Sequence, residues 1–186
     1  TVNIGITGEL YIFEMLFRNI LEVVKKAGVY IPFYIMTSDK NHEETVSFLT
    51  EKKFFGYPKD YVMFFMQEMA PCVDLDGKLL MEDKSKIAMS PNGNGGWFAS
   101  MSKKGMLEDI HKRQVEWLNV FAVDNVLQKI CDPIFLGAVL ASNYVSGSKV
   151  VRKANPEEKV GVMCLEDDKP SIVEYYEMTE KMLYEK

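Results

Sequence analysis

The sequence contains few of the residues that build disulfide frameworks, structural metal sites or nucleic-acid grooves. Three cysteines and two histidines occur among 186 residues, and Cys72, Cys131 and Cys164 form no CxxC pair. Thiols this few and this scattered argue against a disulfide scaffold or a zinc site and favour a reducing, cytoplasmic setting. Basic residues form no cluster, and 22 Lys and Arg against 27 Asp and Glu leave a net charge of −5. We therefore expect no nucleic-acid partner.

Long hydrophobic runs are also missing. The longest apolar stretches, residues 31–36 and 61–66, are far shorter than the roughly 20 residues that span a bilayer. No targeting or lipidation motif is present in the sequence. With 47% hydrophobic and 26% charged residues, the chain has the composition of a soluble globular protein that can bury a sizeable core. We expect no membrane partner.

The apolar pattern of the first third of the chain predicts alternating helices and strands. Apolar residues three and four apart form one stripe over residues 9–26, which predicts a helix that ends at Gly28. The runs 31–36 and 61–66 predict buried strands, with a helix over 41–53 between them. Helix, strand and helix in succession indicate an α/β layer.

The rest of the sequence continues this alternation. The Asp76–Gly77 dipeptide predicts a hairpin over residues 73–81. The remaining predicted elements are a helix over 97–113 that is split near Gly105, a strand over 118–123, a helix over 132–142, and strands over 149–152, 160–165 and 172–175. The predicted fold is therefore α/β, a mostly parallel mixed sheet flanked by helices, with short antiparallel additions.

A glycine-rich segment, SPNGNGG at residues 90–96, is the first candidate site. Three glycines in seven residues let a ligand approach the backbone closely and leave amide groups free to bind phosphate or sugar oxygens. The side chain of Asn94 adds two donors and an acceptor between glycines. The segment matches neither common phosphate-loop pattern, so a plain surface loop is an equal alternative.

Polar residues follow three of the predicted strands. Asp124 follows the strand over 118–123, residues 37–39 follow the first strand, and Gln67 follows the second. Because ligands of open α/β sheets bind beyond the carboxyl ends of the strands, these positions form a second candidate site. The alternative for Asp124 is a turn or a helix N-cap.

Other polar and thiol side chains carry weaker signals. Glu174 lies in a predicted strand, where its carboxylate either faces solvent, the default, or projects into a site. His42 and His111 lie on predicted helices among charged neighbours and lack metal-ligand spacing, so they are predicted to be solvated. The cysteines are predicted to be packing residues.

Seven motifs together resemble the UDP-N-acetylhexosamine pyrophosphorylases in order and spacing. They are FFMQEMAP (64–71), VDLDGK (73–78), SPNGNGGWF (90–98), FAVDN (121–125), DPIFLG (132–137), KANPEEKVGV (153–162) and IVEYYEM (172–178). The resemblance covers about residues 32–178. Asn94 stands where the related UDP-glucose pyrophosphorylases usually carry histidine, which favours the N-acetylhexosamine branch.

The resemblance implies a nucleotide-diphosphosugar transferase fold, Rossmann-like and GT-A-like. It also implies a reversible, Mg²⁺-dependent reaction of UTP with N-acetylhexosamine 1-phosphate that gives UDP-N-acetylhexosamine and pyrophosphate. The roles carried over from the family are Gln67 at the uracil edge, Gly93 against the uridine, Asn94 at the sugar, Asp124 at the sugar phosphate and metal, Gly161 for close approach of the hexose, and Glu174 at the hexose hydroxyls.

The chain also departs from the family pattern. The glycine-rich loop with Arg and Lys that holds the triphosphate in the family does not occur between Thr1 and Glu9, and the sequence stops at Lys186 before a later family motif. Residues 1–186 are therefore expected to be the central part of a single catalytic domain, inactive alone. Two alternative functions are a UDP-glucose or broad UDP-sugar pyrophosphorylase and a non-catalytic module that binds UDP-sugars.

Overall fold

A computed structural model of the chain describes residues 10–184. Glu9, at the start of the predicted first helix, and the opening residues 1–8 lie outside the described residues. The chain divides into two compact units, Thr1–Phe135 and Leu136–Lys186. Two such units can belong to one catalytic domain, so the single-domain expectation stays a prediction. Within residues 10–184, no helix has both the length and the apolar character needed to cross a membrane.

Helix α1 (Ile12–Ala27) presents one apolar face to the core of the first unit. The residues on this face that the fold buries are Leu16, Phe17, Ile20 and Val24. Gly28 ends the helix in the left-handed conformation at φ 73°, and its N–H donates to the Val24 carbonyl, as glycine does at many helix ends. The predicted helix and its stop are confirmed.

Strands β1 (Phe33–Thr37) and β2 (Val62–Met66) pair in parallel, with helix α2 (His42–Glu51) on the connection between them. Phe33 lies opposite Val62 and Thr37 lies opposite Met66, so the carboxyl ends of both strands meet at one edge. Both strands contribute buried side chains to the core built on α1. The predicted strand, helix and strand are confirmed here.

The connection from α2 to β2 contains a left-handed 3₁₀ turn at Lys53–Gly56, followed by a second 3₁₀ turn at Lys59–Tyr61. Lys53, Phe54 and Phe55 have φ of 49°, 50° and 50°, a backbone region that costs non-glycine residues about 1 kcal/mol each. Phe54 is buried in the core, and the Phe55 ring packs 5.9 Å from the Phe17 ring. The strained backbone is thus held by aromatic packing.

An antiparallel arm, residues 69–91, follows β2. Its strands are β3 (Met69–Pro71), β4 (Met81–Asp83), β5 (Lys86–Ile87) and β6 (Met89–Pro91), with β3 paired to β6 and β4 paired to β5. At the predicted hairpin, Val73 bridges Leu79, and Gly77 turns the chain at φ 79°. The hairpin predicted from the Asp76–Gly77 dipeptide is confirmed.

Two short helices follow the glycine-rich segment in the first unit. Helix α3 (Trp97–Lys103) and helix α4 (Met106–Lys112) are separated at Gly105, whose φ is 76°. Met101 and Ile110 pack with Phe65 of β2 into a second apolar cluster. The predicted helix with a split near Gly105 is confirmed.

The second unit contains less regular structure. Helix α5 (Pro133–Ala141) crosses the boundary between the units along the chain. Strands β7 (Val162–Glu166) and β8 (Lys169–Val173) form an antiparallel hairpin, and helix α6 (Glu180–Tyr184) follows. The predicted helix over 132–142 and the strands over 160–165 and 172–175 are present, the last with shifted bounds.

Two predicted strands are wrong. Residues 118–123 and 149–152 form no strand. A β-rich composition needs a neighbouring strand to complete its backbone hydrogen bonds, and side-chain contacts hold the first segment instead. Phe121 stacks on Phe33, and the Asn119 carboxamide oxygen accepts the Cys131 N–H.

The α/β fold class is confirmed, but the sheet is not mostly parallel within residues 10–184. Parallel pairing is confined there to β1 and β2, and the other three two-stranded sheets are antiparallel. The arm after β2 folds back on itself instead of crossing over a helix, and adjacent antiparallel strands need only a short turn for this.

Candidate functional site

Gln67 lies at the carboxyl edge of the parallel pair, as the sequence predicts. Its backbone N–H donates to the Thr37 carbonyl at 2.8 Å, which continues the β1 and β2 pairing by one residue. Gln67 is half-buried. The strand geometry therefore fixes the backbone of Gln67 and leaves it partly open to a ligand.

Glu68 connects Gln67 to the glycine-rich segment and to α3. Its carbonyl accepts the Asn92 N–H at 3.0 Å, and its own N–H donates to the Ser100 hydroxyl at 3.1 Å. Its carboxylate pairs with the Lys103 ammonium at 2.6 Å, a largely exposed contact that contributes little to stability. The pairing of β3 with β6 extends this connection, with Met69 opposite Pro91.

Gly93 and Asn94 lie at an exposed turn that leads into α3. Gly93 has φ 77° and ψ 162°, a combination that is essentially restricted to glycine. A 3₁₀ turn over Asn94–Gly96 follows directly and leads into Trp97 at the start of α3. No atom lies within 4 Å of a Cβ built at Gly93, so the backbone conformation rather than space requires glycine. The fold thus brings the glycine-rich segment beside Gln67.

Thr37 and His42 form a polar pair behind the same edge. The Thr37 hydroxyl is buried, shares a hydrogen bond of 2.7 Å with His42 Nδ1 and donates to the Phe65 carbonyl at 3.3 Å. His42 also makes an edge contact with the Phe64 ring. The prediction that His42 is solvated is wrong, because the first turn of α2 packs against the strand ends. His111 is exposed, as predicted.

Asp124 does not follow a strand, so the strand-end argument for it is wrong. It lies in an exposed turn in which its carbonyl accepts the Val126 N–H at 3.0 Å. The alternative interpretation, a turn, is the one that the structure has. The prediction that Asp124 contacts the sugar phosphate or a metal rests on the resemblance alone.

A divalent cation would need a group of donor side chains on the protein or oxygens on its substrate. Within residues 10–184, no three His, Cys, Asp or Glu side chains form a group that could hold a metal. Mg²⁺ keeps several waters and commonly takes only one or two protein carboxylates, with phosphate oxygens supplying the rest. The exposed Asp124 carboxylate fits that limited role and does not form a cation site by itself.

Gly161 and Glu174 lie together in the second unit. Gly161 precedes β7 and Glu174 follows β8, so the antiparallel hairpin places them at the same end. A Cβ at Gly161 would lie 3.2 Å from Ile172 Cγ2 and 3.5 Å from each carboxylate oxygen of Glu174. Any side chain at Gly161 would therefore crowd a half-buried carboxylate.

A polar network anchors α4 in the first unit. The Tyr34 hydroxyl donates to Asp109 at 2.7 Å, and Arg113 Nε donates to both Asp109 carboxylate oxygens at 2.9 and 2.8 Å. Burial and the bond to Asp109 raise the pKa of Tyr34 above its usual range. Burial opposes ionisation of Asp109, but the bonds from Tyr34 and Arg113 outweigh it and lower the pKa of Asp109.

The cysteines are free thiols at half-buried positions, as predicted for packing residues. Burial raises the pKa of the Cys131 thiol, which disfavours the reactive thiolate. The positions that the sequence analysis missed are Glu68 and Ser100. Helical spacing could have placed Ser100 on the same face of α3 as Trp97, three residues earlier, but it gives no signal for the bond to Glu68, which is 32 residues away in the sequence.

The arrangement in the first unit is suited to holding a planar ligand edge against backbone. A primary amide at a strand end supplies two donors and an acceptor, and the neighbouring glycine-rich turn lets a ligand approach closely. In the second unit, a carboxylate beside a glycine offers acceptors to hydroxyl donors. Binding and orienting a polar small molecule is the chemistry that these groups can perform.

Comparison with known proteins agrees with the resemblance seen in the motifs. A family model described as UTP–glucose-1-phosphate uridylyltransferase matches residues 3–186. A human protein named UDP-N-acetylhexosamine pyrophosphorylase-like protein 1 is 37% identical over 182 residues, which cover 95% of this chain and 36% of the relative. The UDP-N-acetylglucosamine pyrophosphorylase of Saccharomyces cerevisiae is 33% identical over 184 residues, which cover 97% of this chain and 39% of the relative.

Solved structures show the same similarity. The uridine diphosphate N-acetylglucosamine pyrophosphorylase of Trypanosoma brucei matches with a TM-score of 0.85 and 28% identity over 96% of this chain and 38% of that one. The chain therefore spans less than two-fifths of the length of each of these three proteins. The resemblance to UDP-N-acetylhexosamine pyrophosphorylases and the predicted nucleotidyltransferase-type fold are confirmed.

Proposed function

Because this chain belongs to the family of UTP–glucose-1-phosphate uridylyltransferases, we propose that the protein transfers uridylyl groups to a hexosamine phosphate. The substrates are UTP and N-acetylhexosamine 1-phosphate, and the products are UDP-N-acetylhexosamine and pyrophosphate. The names of the human and yeast relatives support the N-acetylhexosamine substrate.

The observation that carries this proposal is the placement of Gln67 beside the glycine-rich turn. Gln67 is fixed by Thr37, and the next residue, Glu68, is hydrogen-bonded to Asn92 one residue before Gly93. A uracil edge presents a donor between two acceptors, which the amide of Gln67 can match in part. The backbone at Gly93 then lies against the uridine.

Three further residues are assigned to the sugar. Asn94 offers its amide to the sugar from the glycine-rich turn. In the second unit, Glu174 accepts hydrogen bonds from hexose hydroxyls, and the bare backbone of Gly161 lets the hexose approach that carboxylate. The crowding that a Cβ at Gly161 would cause beside Glu174 supports this pairing.

The reaction requires positioning more than covalent chemistry from the protein. An oxygen of the sugar phosphate attacks the α-phosphorus of UTP, the bond from that phosphorus to the bridging oxygen breaks, and pyrophosphate leaves. Gln67 and Gly93 hold the nucleotide, and the family resemblance assigns Asn94 and Glu174 to the sugar. Asp124 is the residue that would help to hold Mg²⁺, and the ion would supply charge neutralisation at the phosphates.

A second candidate function is a UDP-glucose or broad UDP-sugar pyrophosphorylase. The description of the matching family model, which names glucose 1-phosphate, favours it. The two candidates share the nucleotide half of the site and differ in whether the pocket beyond Asn94 accommodates an N-acetyl group.

A calorimetric titration of the chain with UTP, UDP-N-acetylglucosamine and UDP-glucose tests the proposal, with Gln67→Ala as the comparison variant. We expect uridine nucleotides to bind and Gln67→Ala to weaken them roughly ten-fold, as the loss of one or two hydrogen bonds would. We also expect UDP-N-acetylglucosamine to bind more tightly than UDP-glucose. The reverse sugar order favours the second candidate, and binding that Gln67→Ala leaves unchanged contradicts the nucleotide site itself.

A further inference from the structure

Gln67 is held by hydrogen bonds on both sides of its backbone. Its own N–H donates to the Thr37 carbonyl of β1, and the next N–H, that of Glu68, donates to the Ser100 hydroxyl of α3. The two acceptors belong to different elements of the first unit. The position of the Gln67 backbone, from which its side chain projects, therefore depends on α3 as well as on the sheet.

Ser100 is unusual for a serine in a helix because its side chain is fully buried. Its exposed fraction is 1%, and it sits next to the buried Met101 in the apolar cluster with Phe65. A buried hydroxyl is retained at little cost only when it is hydrogen-bonded. Here the partner is the amide that follows Gln67, which links this hydroxyl to the nucleotide half of the site.

The same helix begins at the glycine-rich turn. Trp97, the first residue of α3, follows directly after Asn94–Gly96, and Ser100 lies within one turn of it. The bond from Glu68 to Ser100 and the bond from Asn92 to Glu68 thus join Gln67 to both ends of the segment that carries Gly93. Together these two hydrogen bonds fix the distance between the backbone of Gln67 and the backbone of Gly93.

We propose that Ser100 is a positioning residue for nucleobase selection, which acts by holding Gln67 in register with Gly93. This proposal rests on the proposed function. A glutamine amide can rotate to present either its donor or its acceptor, so by itself it discriminates poorly between uracil and cytosine. A fixed register between Gln67 and the backbone at Gly93 restricts the base to the one whose donors and acceptors match both.

The test compares the dissociation constants of UTP and CTP for the chain by calorimetry. Ser100→Ala is expected to lower the preference for UTP over CTP about five-fold, the effect of one hydrogen bond. Ser102→Ala is the matched control, since it makes the same change at an exposed position of the same helix, and it is expected to leave the preference unchanged. Equal preferences in the wild type and Ser100→Ala overturn the proposal.

A hydroxyl-retaining variant separates positioning from stability. Ser100→Thr keeps the acceptor but adds a methyl group at a packed site, so it is expected to lower the unfolding midpoint while keeping the UTP preference. Loss of preference in Ser100→Thr in proportion to its loss of stability would show a merely structural role and overturn the proposal.

A double-mutant cycle identifies the residue through which Ser100 acts. In the Gln67→Ala background, Ser100→Ala is expected to change the UTP preference no further, because the side chain that it positions is gone. Additive effects overturn the proposal. If Gln67→Ala alone leaves the preference intact, the proposed function fails at its nucleotide site. If Gln67→Ala lowers the preference for UTP over CTP and Ser100→Ala does not, the proposed function stands and the proposed role of Ser100 is wrong.

Discussion

The two compact units differ in how much apolar surface they bury. The first unit has a core in which the side chains of Leu16, Phe17 and Leu49 are almost completely inaccessible. Among the described residues of the second unit, Val139 is the one hydrophobic residue with an exposed fraction as low as 9%, and Leu165 on β7 is 70% exposed. An isolated two-stranded hairpin is marginally stable in water. Gln67 and the glycine-rich turn thus rest on a packed scaffold, whereas Gly161 and Glu174 rest on a hairpin with little core.

The prediction with the largest expected effect truncates a side chain at the centre of the core of the first unit. Phe17 is 0% exposed, and its ring packs 5.3 Å from that of Phe33 and 5.7 Å from that of Tyr57. Phe17→Ala is expected to lower the free energy of unfolding by about 3–5 kcal/mol because it leaves a large cavity. Chemical denaturation measures this change.

The matched control is Phe98→Ala. Phe98 is 52% exposed, so the same truncation is expected to cost less than about 1 kcal/mol. Similar losses for the two variants would contradict the assignment of the core to the face of α1.

Amide hydrogen exchange tests the contrast between the parallel pair of β1 and β2 and the hairpin of β7 and β8. Amides of β1 and β2 are expected to exchange roughly a hundred-fold or more slowly than those of β7 and β8, since local opening ranges from almost no cost up to the full unfolding free energy. Exchange rates corrected for intrinsic exchange, measured on peptides from the β1 and β2 pair and from the β7 and β8 hairpin, give the comparison. Equal protection would show that the second unit is as stable as the first.

The prediction with the smallest expected effect concerns two carboxylates that each accept a hydrogen bond from a tyrosine hydroxyl. Asp109 accepts from Tyr34 at 2.7 Å and is half-buried, whereas Glu157 accepts from Tyr184 at 3.1 Å and is exposed. Asp109→Asn is expected to lower the unfolding free energy at neutral pH by about 1 kcal/mol, because Arg113 then loses its ionised partner. Glu157→Gln is expected to cause no measurable loss, and an equal loss would remove the distinction between the units.

The stabilising effect of Asp109 also depends on pH. Its pKa in the folded protein is lowered, since the bonds from Tyr34 and Arg113 outweigh the opposing effect of burial. The contribution is therefore fully present above the ordinary aspartate pKa of about 3.9 and is lost as the pH falls through the lowered value. The stability difference between the wild type and Asp109→Asn should shrink over that acidic range, and a constant difference would contradict the pKa direction.

The sequence predicts the first unit well where apolar periodicity and local turn chemistry agree. The stripe on α1, the stop at Gly28 and the short apolar run of β2 each require a single structure, and each occurs as predicted. The same agreement placed Gln67 at the edge of the sheet. Seven motifs in a fixed order are a specific signal, and the family that they indicate is confirmed.

Prediction fails where the outcome depends on a partner from elsewhere in the chain. Residues 118–123 have strand composition, but Phe121 packs on Phe33 and no ladder forms there. His42 has charged neighbours in sequence, yet its ring bonds Thr37 across the end of β1. In the sequence Ser100 is an ordinary helical serine, and its bond to Glu68 forms only because the antiparallel arm folds back and brings α3 beside that residue. None of these contacts is visible from local spacing.

The hydrogen bond between Glu68 and Ser100 also implies an order of assembly. Strands β1 and β2 are joined only by α2 and two 3₁₀ turns, so their pairing closes a short loop and its backbone hydrogen bonds use no later part of the chain. Ser100 lies 32 residues after Glu68, and the hairpin arm must fold before the two can meet. During synthesis, at about 5–20 residues per second, the Thr37 anchor of Gln67 is therefore in place seconds before the second anchor arrives. The edge of the sheet that carries Gln67 is completed only by the later-made α3, and a nascent chain that ends before α3 lacks the second anchor of Gln67.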